Sequence, residues 1–222
     1  MKSRLVGCIF DLDGTLVDSL EDLQACLNAV LLRRGFPAVE RDRLKELVGD
    51  GIGKLVERAI PREAFSPQTA AACLREFTDE YRIHCLDRTR PFDGMYELVR
   101  RVRAGGIFTA VVTNKDEAIA RRIVSTLFGA DGFDWVAGLR EGGRAKPDPQ
   151  SVLDVCRRLG AGPEDCVMVG DSGGDMKTGR NAGMPAIGVT WGYRPRRDLE
   201  QNGAARIVNT PDQLWAALSE ER

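Results

Sequence analysis

The chain has one histidine, His84, and its six cysteines, at 8, 26, 73, 85, 156 and 166, form no Cys-x-x-C pair. A zinc centre needs Cys and His at ligand spacing, so none is expected here. The cysteines read instead as free thiols packing like small hydrophobes. With so little histidine, proton transfer near neutral pH falls to carboxylates or lysine. No apolar stretch reaches the roughly 18 residues of a membrane span, so no membrane partner is expected. The apolar run after the basic residues at 1–4 stops at Asp11. It is too short for a signal peptide and lacks a small-residue cleavage site, which points to the cytoplasm. Charge is balanced as well: 32 Lys and Arg against 33 Asp and Glu leave a formal net charge of −1. Nothing pulls the chain as a whole toward nucleic acid, and the basic run Arg194, Arg196, Arg197 reads as a solvated surface segment.

What is present is ordinary globular material, 43% hydrophobic and 29% charged over 222 residues, enough for a core and a smaller companion. Continuous apolar runs at 5–10, 107–112, 166–169 and 186–189, with a weaker one at 135–137, read as strands buried on both faces. Helical stripes lie between them. Met95, Leu98, Val99 and Val102 stop at Gly105-Gly106; Ala118, Ile119, Ile123, Val124 and Leu127 stop before Gly129; Val152, Leu153, Val155, Cys156 and Leu159 stop before Gly160. This alternation predicts an α/β core with a doubly wound parallel sheet.

From about 18 to 85 the pattern changes: four amphipathic stripes follow one another with no strand between them. They begin at Leu20, Leu44, Leu55 and Cys73. The expected organisation is a core made of 1–15 and 90–222, with an inserted helical cap at 16–89.

Four polar segments stand at or near strand ends, the edge where open α/β sheets bind ligands. They are Asp11-Leu12-Asp13-Gly14-Thr15, Thr113-Asn114, Lys146-Pro147 and Gly170-Asp171-Ser172-Gly173-Gly174-Asp175. Their carboxylates cannot all stay ionised together without a cation. An all-oxygen donor set without Cys or His selects Mg²⁺. Lys146 can hold a carboxylate and a phosphate at once, and Thr15, Thr113, Asn114 and turn N–H groups can cradle phosphate oxygens. Two carboxylates two residues apart suit two jobs in phosphoryl transfer: one attacks phosphorus, the other moves the leaving group's proton. Taken singly, each segment is ordinary turn or loop material.

Together and in order, the four segments resemble the haloacid dehalogenase superfamily of phosphohydrolases. Asp11-Leu12-Asp13-Gly14-Thr15-Leu16-Val17-Asp18-Ser19 is similar to its first motif, Thr113-Asn114-Lys115 to its second, Lys146-Pro147-Asp148-Pro149 to its third and Gly170–Asp175 to its fourth. The resemblance implies that Asp11 is the nucleophile and Asp13 the acid/base. It implies that Asp11, the carbonyl of Asp13, Asp171 and Asp175 hold Mg²⁺, that Thr113, Asn114 and Lys146 bind phosphate, and that the insertion is a mobile cap.

A narrower likeness is to the phosphoglycolate phosphatase branch, carried by Val48-Gly49-Asp50-Gly51-Ile52-Gly53, Thr89–Gly94 and Gly183–Tyr193. It implies 2-phosphoglycolate as substrate, with Gly49 and Asp50 as candidate substrate contacts. A pyrophosphatase, a sugar or nucleotide phosphatase, and a β-phosphoglucomutase-like mutase remain open alternatives. The expected partner is a small-molecule phosphate, and the expected assembly a monomer or homodimer. One departure from the family pattern is the Gly173-Gly174 pair after Ser172, which predicts an unusually flexible loop.

Overall fold

The computed structural model describes residues 5–220. The basic residues at 1–4 lie outside the described residues. In chain order the elements are β1 (Gly7–Phe10), β2 (Val17–Asp18), α1 (Leu20–Arg33), α2 (Arg41–Leu47), α3 (Ile52–Ala59), α4 (Pro67–His84) and β3 (Arg90–Pro91). There follow α5 (Met95–Ala104), β4 (Phe108–Asp116), α6 (Glu117–Phe128), β5 (Trp135–Leu139), α7 (Gln150–Leu159) and β6 (Cys166–Gly170). The chain ends with α8 (Gly173–Ala182), β7 (Ala186–Val189), α9 (Arg196–Gln201), β8 (Arg206–Val208) and α10 (Pro211–Glu220).

Six strands make one parallel sheet in the order β5-β4-β1-β6-β7-β8. Side chains alternate across it, as the pleat requires. Cys8, Phe10, Val111, Val167, Val169, Ile187 and Val189 face the side covered by α5, α6 and α10. Ile9, Ala110, Val112, Met168 and Ala186 face the side covered by α7, α8 and α9. Both faces are thus dry, which is why the strands read as continuous apolar runs rather than alternating ones. After β1 the chain builds outward on one side through β4 and β5, then crosses to the other through β6, β7 and β8. The change of direction falls at β1, so the crevice opens at the C-terminal ends of β4, β1 and β6.

The insertion leaves and returns through the short antiparallel pair β2–β3. Leu23, Leu27 and Leu31 of α1, Leu44 and Leu47 of α2, Leu55 and Val56 of α3, and Cys73, Phe77 and Tyr81 of α4 are all buried, and they join the α5/α6 side of the core in one apolar cluster. The return tether is fixed by a buried carboxylate. Asp22 accepts hydrogen bonds from the amides of Arg88 and Thr89 at 2.8–3.1 Å and from the Thr89 hydroxyl at 2.7 Å.

Three short elements escape the apolar pattern: β2, β3 and the edge strand β8, which is exposed at Arg206. The second expected strand also runs further than its apolar residues, through Thr113, Asn114 and Lys115 to Asp116. The Gly173-Gly174 pair corrects an expectation. It does not form a loose loop; it is the first turn of α8, capped by Ser172 and Asp175 in a reciprocal capping box. The pair packs closely: a Cβ at 173 would stand 2.3 Å from the side-chain amide of Asn202.

Candidate active site

The residue after β1 continues the sheet: the Asp11 amide donates to the Val169 carbonyl of β6 at 2.9 Å. The chain then folds into a compact turn in which the amides of Leu16 and Val17 converge on the Leu12 carbonyl and Gly14 donates to Val17. Gly14 has φ +83°, and a Cβ there would lie 2.4 Å from an Asp171 oxygen. Only glycine allows both this turn and this approach. In this way Asp11 and Asp13 are presented at the sheet edge.

Three carboxylates meet there. Asp11, Asp171 and Asp175 each place one oxygen within 4.8 Å of the others. Lys146 bridges two of them, with Nζ 2.8 Å from Asp11 Oδ1 and 2.6 Å from Asp175 Oδ1. Asp175, fully buried, also accepts the Ser172 amide at 3.1 Å and hydroxyl at 2.7 Å. Asp171 accepts the Tyr193 amide at 2.7 Å and the Thr15 hydroxyl at 3.3 Å.

One lysine does not balance three clustered acids, two of them buried. Burial, then Asp175 and Asp11, raise Asp171 to about 8. Burial also raises Asp11 to about 6, against the pull of Lys146. Burial alone would lower Lys146, but Asp11 and Asp175 outweigh it and hold the ammonium above its ordinary value. The site is therefore short of positive charge. A hard divalent cation among oxygen donors fits that deficit.

The second carboxylate has separate company. Both oxygens of Asp13 lie 2.9 Å from Lys115 Nζ, and the Ser19 hydroxyl donates to Oδ1. The Lys115 side chain is 2% exposed, and its ammonium sits 4.6 Å over the ring of Tyr81 from α4. The Tyr81 hydroxyl is buried and has no hydrogen-bond partner among the described residues. Tyr193 reinforces the neighbourhood by accepting the Ser19 amide at 2.9 Å and donating to Asp18 at 3.1 Å.

Two expected phosphate ligands are employed differently. Thr15 is fully buried, with its hydroxyl on Asp171 rather than toward the crevice, and its carbonyl accepts Trp191 Nε1 at 3.0 Å. This corrects its assignment as a phosphate contact: the turn that presents Asp13 points Thr15 inward. The Asn114 side chain is also spent on protein. It accepts the Lys146 amide at 2.7 Å and donates to the Lys146 carbonyl at 3.2 Å and the Gly49 carbonyl at 3.0 Å. Thr113 borders the crevice beside Asp11 and Asp13.

From the insertion, Gly49 contributes a carbonyl, and Asp50, about half exposed, turns to Arg58 at 2.6 Å. The loop holding both is gripped from the core, where the Arg194 guanidinium donates to the carbonyls of Glu46 at 3.2 Å and Val48 at 2.6 Å. A pocket of about 40 Å³ over Asp11, Asp13, Thr113 and Lys115 is roofed by Val48, Gly51, Ile52 and Leu55. A second cleft, of about 420 Å³, adjoins it across Gly49 and Asn114.

Lys115 and Ser19 were not among the expected functional residues. The signal for Lys115 is strand alternation, which puts it on the same face as Thr113 once β4 is known to continue past Val112. The signal for Ser19 is weaker, since nothing local says that residue 19 folds back onto residue 13. Among the described residues no helix is long and apolar enough to cross a membrane.

The family model for haloacid dehalogenase-like hydrolases matches residues 8–189. The N-acetylmuramic acid 6-phosphate phosphatase of Pseudomonas aeruginosa is 33% identical over 218 residues, covering 98% of this chain and 96% of that protein. The phosphoglycolate phosphatase of Chromobacterium violaceum is 36% identical over 209 residues, covering 93% of each. A crystal structure from Lactobacillus delbrueckii subsp. bulgaricus, 32% identical, superposes with a TM-score of 0.91 over 97% of this chain and 98% of that one. The chain thus belongs to the haloacid dehalogenase-like hydrolase family, as one of its phosphatases.

Proposed function

We propose that the protein hydrolyses a small phosphomonoester through a phosphoryl group carried on Asp11, with Mg²⁺ held by Asp11, Asp171, Asp175 and the carbonyl of Asp13, and that 2-phosphoglycolate is its substrate. The observation that carries the reading is the pair of carboxylates with divided partners, Asp11 on Lys146 and Asp13 on Lys115. When bound, the divalent ion supplies charge neutralisation for the phosphate oxygens.

An oxygen of Asp11 attacks phosphorus as the ester P–O bond breaks, and the departing oxygen takes a proton from Asp13. Lys115 stabilises the carboxylate this leaves on Asp13. Water then attacks phosphorus, its proton passes to Asp13, and the bond to Asp11 breaks to release phosphate. Lys146 keeps Asp11 ionised and neutralises charge on the transferring group, and Thr113 borders its path. The roof of Val48, Ile52 and Leu55 limits the water that can reach the intermediate.

The substrate assignment rests on the resemblance of residues 48–53 to the phosphoglycolate phosphatase branch and on the Chromobacterium relative. A second reading, a phosphorylated sugar acid, is favoured by the near full-length match to the Pseudomonas relative. Partners beyond the substrate are not required, and the proposed assembly is a monomer or homodimer.

The test is phosphate release from 2-phosphoglycolate, N-acetylmuramic acid 6-phosphate, pyrophosphate, simple sugar phosphates and nucleotides, with Mg²⁺ and with EDTA, against Asp11→Asn as control. EDTA-sensitive preference for 2-phosphoglycolate is the expected result. Preference for the sugar acid keeps the mechanism and moves the substrate to the second reading. Activity that appears only with a sugar bisphosphate primer would replace hydrolysis by a mutase reaction.

A further inference from the structure

The catalytic pocket is too small for more than the phosphoryl group: about 40 Å³ lies over Asp11 and Asp13. The rest of a substrate has to extend past the shared wall of Gly49 and Asn114 into the adjoining cleft. At about 420 Å³ that cleft is within the roughly 300–1,000 Å³ usual for small-molecule sites.

Its charges are unevenly used. The carboxylates on its walls are all occupied: Glu46 by Arg43 at 2.6 Å, Asp50 by Arg58 at 2.6 Å, and Asp198 by the Gly173 amide at 2.7 Å and the Asn202 amide at 3.0 Å. Two of its cations are not. Lys177, half-buried on α8, and Arg197, exposed on α9, make no hydrogen bond or ion pair among the described residues. The basic run that reads from sequence as one solvated segment therefore divides its work. Arg194 fastens the loop of the insertion, Arg196 pairs with Glu200 at 2.9 Å, and Arg197 is left on the cleft.

We propose that this cleft is a subsite for a second anionic group on the substrate, a carboxylate carried by its organic portion and received by Lys177 and Arg197. Both side chains are long and keep their donors free, which suits an anion whose carbon body varies in length. This rests on the phosphatase reading, because a phosphoryl group seated at Asp11 is what directs the remainder of the molecule past Gly49.

The experiment compares kcat/KM for 3-phosphoglycerate and glycerol 3-phosphate, which differ in having a carboxylate or a hydroxymethyl group at the far end. The same pair is also ranked as inhibitors of p-nitrophenyl phosphate hydrolysis. Wild-type protein is expected to favour the carboxylated member about tenfold or more in both readouts. The Lys177→Ala/Arg197→Ala variant should bring the ratio close to one by raising KM and the inhibition constant for 3-phosphoglycerate. Lys177→Arg should keep the ratio, and so should Arg180→Ala, which removes the same charge from α8 outside the cleft. Equal treatment of the pair by wild-type protein, or an undiminished ratio in the double variant, overturns the subsite. Failure of wild-type protein to hydrolyse even p-nitrophenyl phosphate would instead overturn the phosphatase reading on which it rests.

Discussion

The two sides of the crevice are built by different means. On the core side, side chains do the work: Asp11 and Asp171 follow strand ends, Asp175 comes from the first turn of α8 and Lys146 from the loop after β5, and the three acids gather within 4.8 Å with Lys146 bridging Asp11 and Asp175. On the insertion side, backbone does it: the carbonyls of Glu46, Val48 and Gly49 are gripped by Arg194 and Asn114 of the core. Asp50, the residue of that loop best equipped for chemistry, faces Arg58 instead. A rigid sheet edge can fix charged groups to the tolerance that phosphoryl transfer needs, whereas a loop between two short helices needs to be held before it can shape anything.

The comparison is broken most severely at the nucleophile. Asp11→Asn should lower kcat by at least about 10⁴-fold while leaving the melting temperature unchanged or higher, since it removes one of three mutually repelling acids. Retained activity, with contaminants excluded, would remove Asp11 from its role.

Next in size is the Asp13 side, where Ser19 and Tyr81 of the insertion meet Asp13 and Lys115 of the core. Lys115→Met should cost roughly 10²-fold to 10³-fold in kcat, the usual worth of a positioned proton-transfer group, with KM little changed. Lys115→Arg should recover part of it. Tyr81→Phe should leave kcat within about twofold, because the lost hydroxyl has no partner, whereas Tyr81→Leu should lose the ring beneath the ammonium. An equal loss in Tyr81→Phe would mean that the hydroxyl acts in the reaction.

A third effect separates the acid-rich floor from the rest by pH. Free carboxylates titrate near 4, while Asp11 stands at about 6 and Asp171 at about 8 in the folded, metal-free protein. Over that window the folded state binds more protons than the unfolded state, so metal-free stability falls as pH rises from about 4 to 8. Mg²⁺ should restore the loss, and more so at the alkaline end. Thermal melts with EDTA and with Mg²⁺ at about pH 5.5 and pH 8 should show the larger Mg²⁺-induced shift at pH 8. Equal shifts at the two pH values would contradict the charge deficit.

The smallest effects belong to the loop. Arg194→Ala should raise KM several-fold through loosening of residues 46–51, with a minor change in kcat. Asp50→Ala should alter kcat/KM by less than about twofold, as expected for one exposed ion pair. Steady-state kinetics on both variants decide whether the loop is shaped from the core, as the Arg194 contacts indicate, or by its own charges.

The same contrast accounts for what could be read before the fold was known. The strands of the core were legible because burial on both faces leaves long apolar runs, and the acids after them because turns such as Leu12–Val17 are specified locally by Gly14. The short pair β2–β3 and the edge strand β8 carry too few apolar residues to register. Thr15 and Asn114 were visible as polar groups at the right edge, but the direction of each side chain depends on Asp171, Lys146 and Gly49, distant in sequence. The pairing of Lys115 with Asp13 spans 102 residues and the stacking on Tyr81 crosses from core to insertion, so neither leaves a local pattern. The Gly173-Gly174 pair misled for a related reason: it is placed in a capped helix start, against the side chain of Asn202 just past α9, a neighbour distant in sequence.

The central claim is that the phosphoryl group passes through Asp11, and borohydride trapping tests it most directly. Protein quenched with sodium borohydride during turnover of 2-phosphoglycolate, or of whichever phosphomonoester it hydrolyses fastest, should carry homoserine at position 11 by peptide mass spectrometry, dependent on substrate and Mg²⁺. Full turnover with aspartate intact at 11, or with reduction at another acidic residue, would contradict the account.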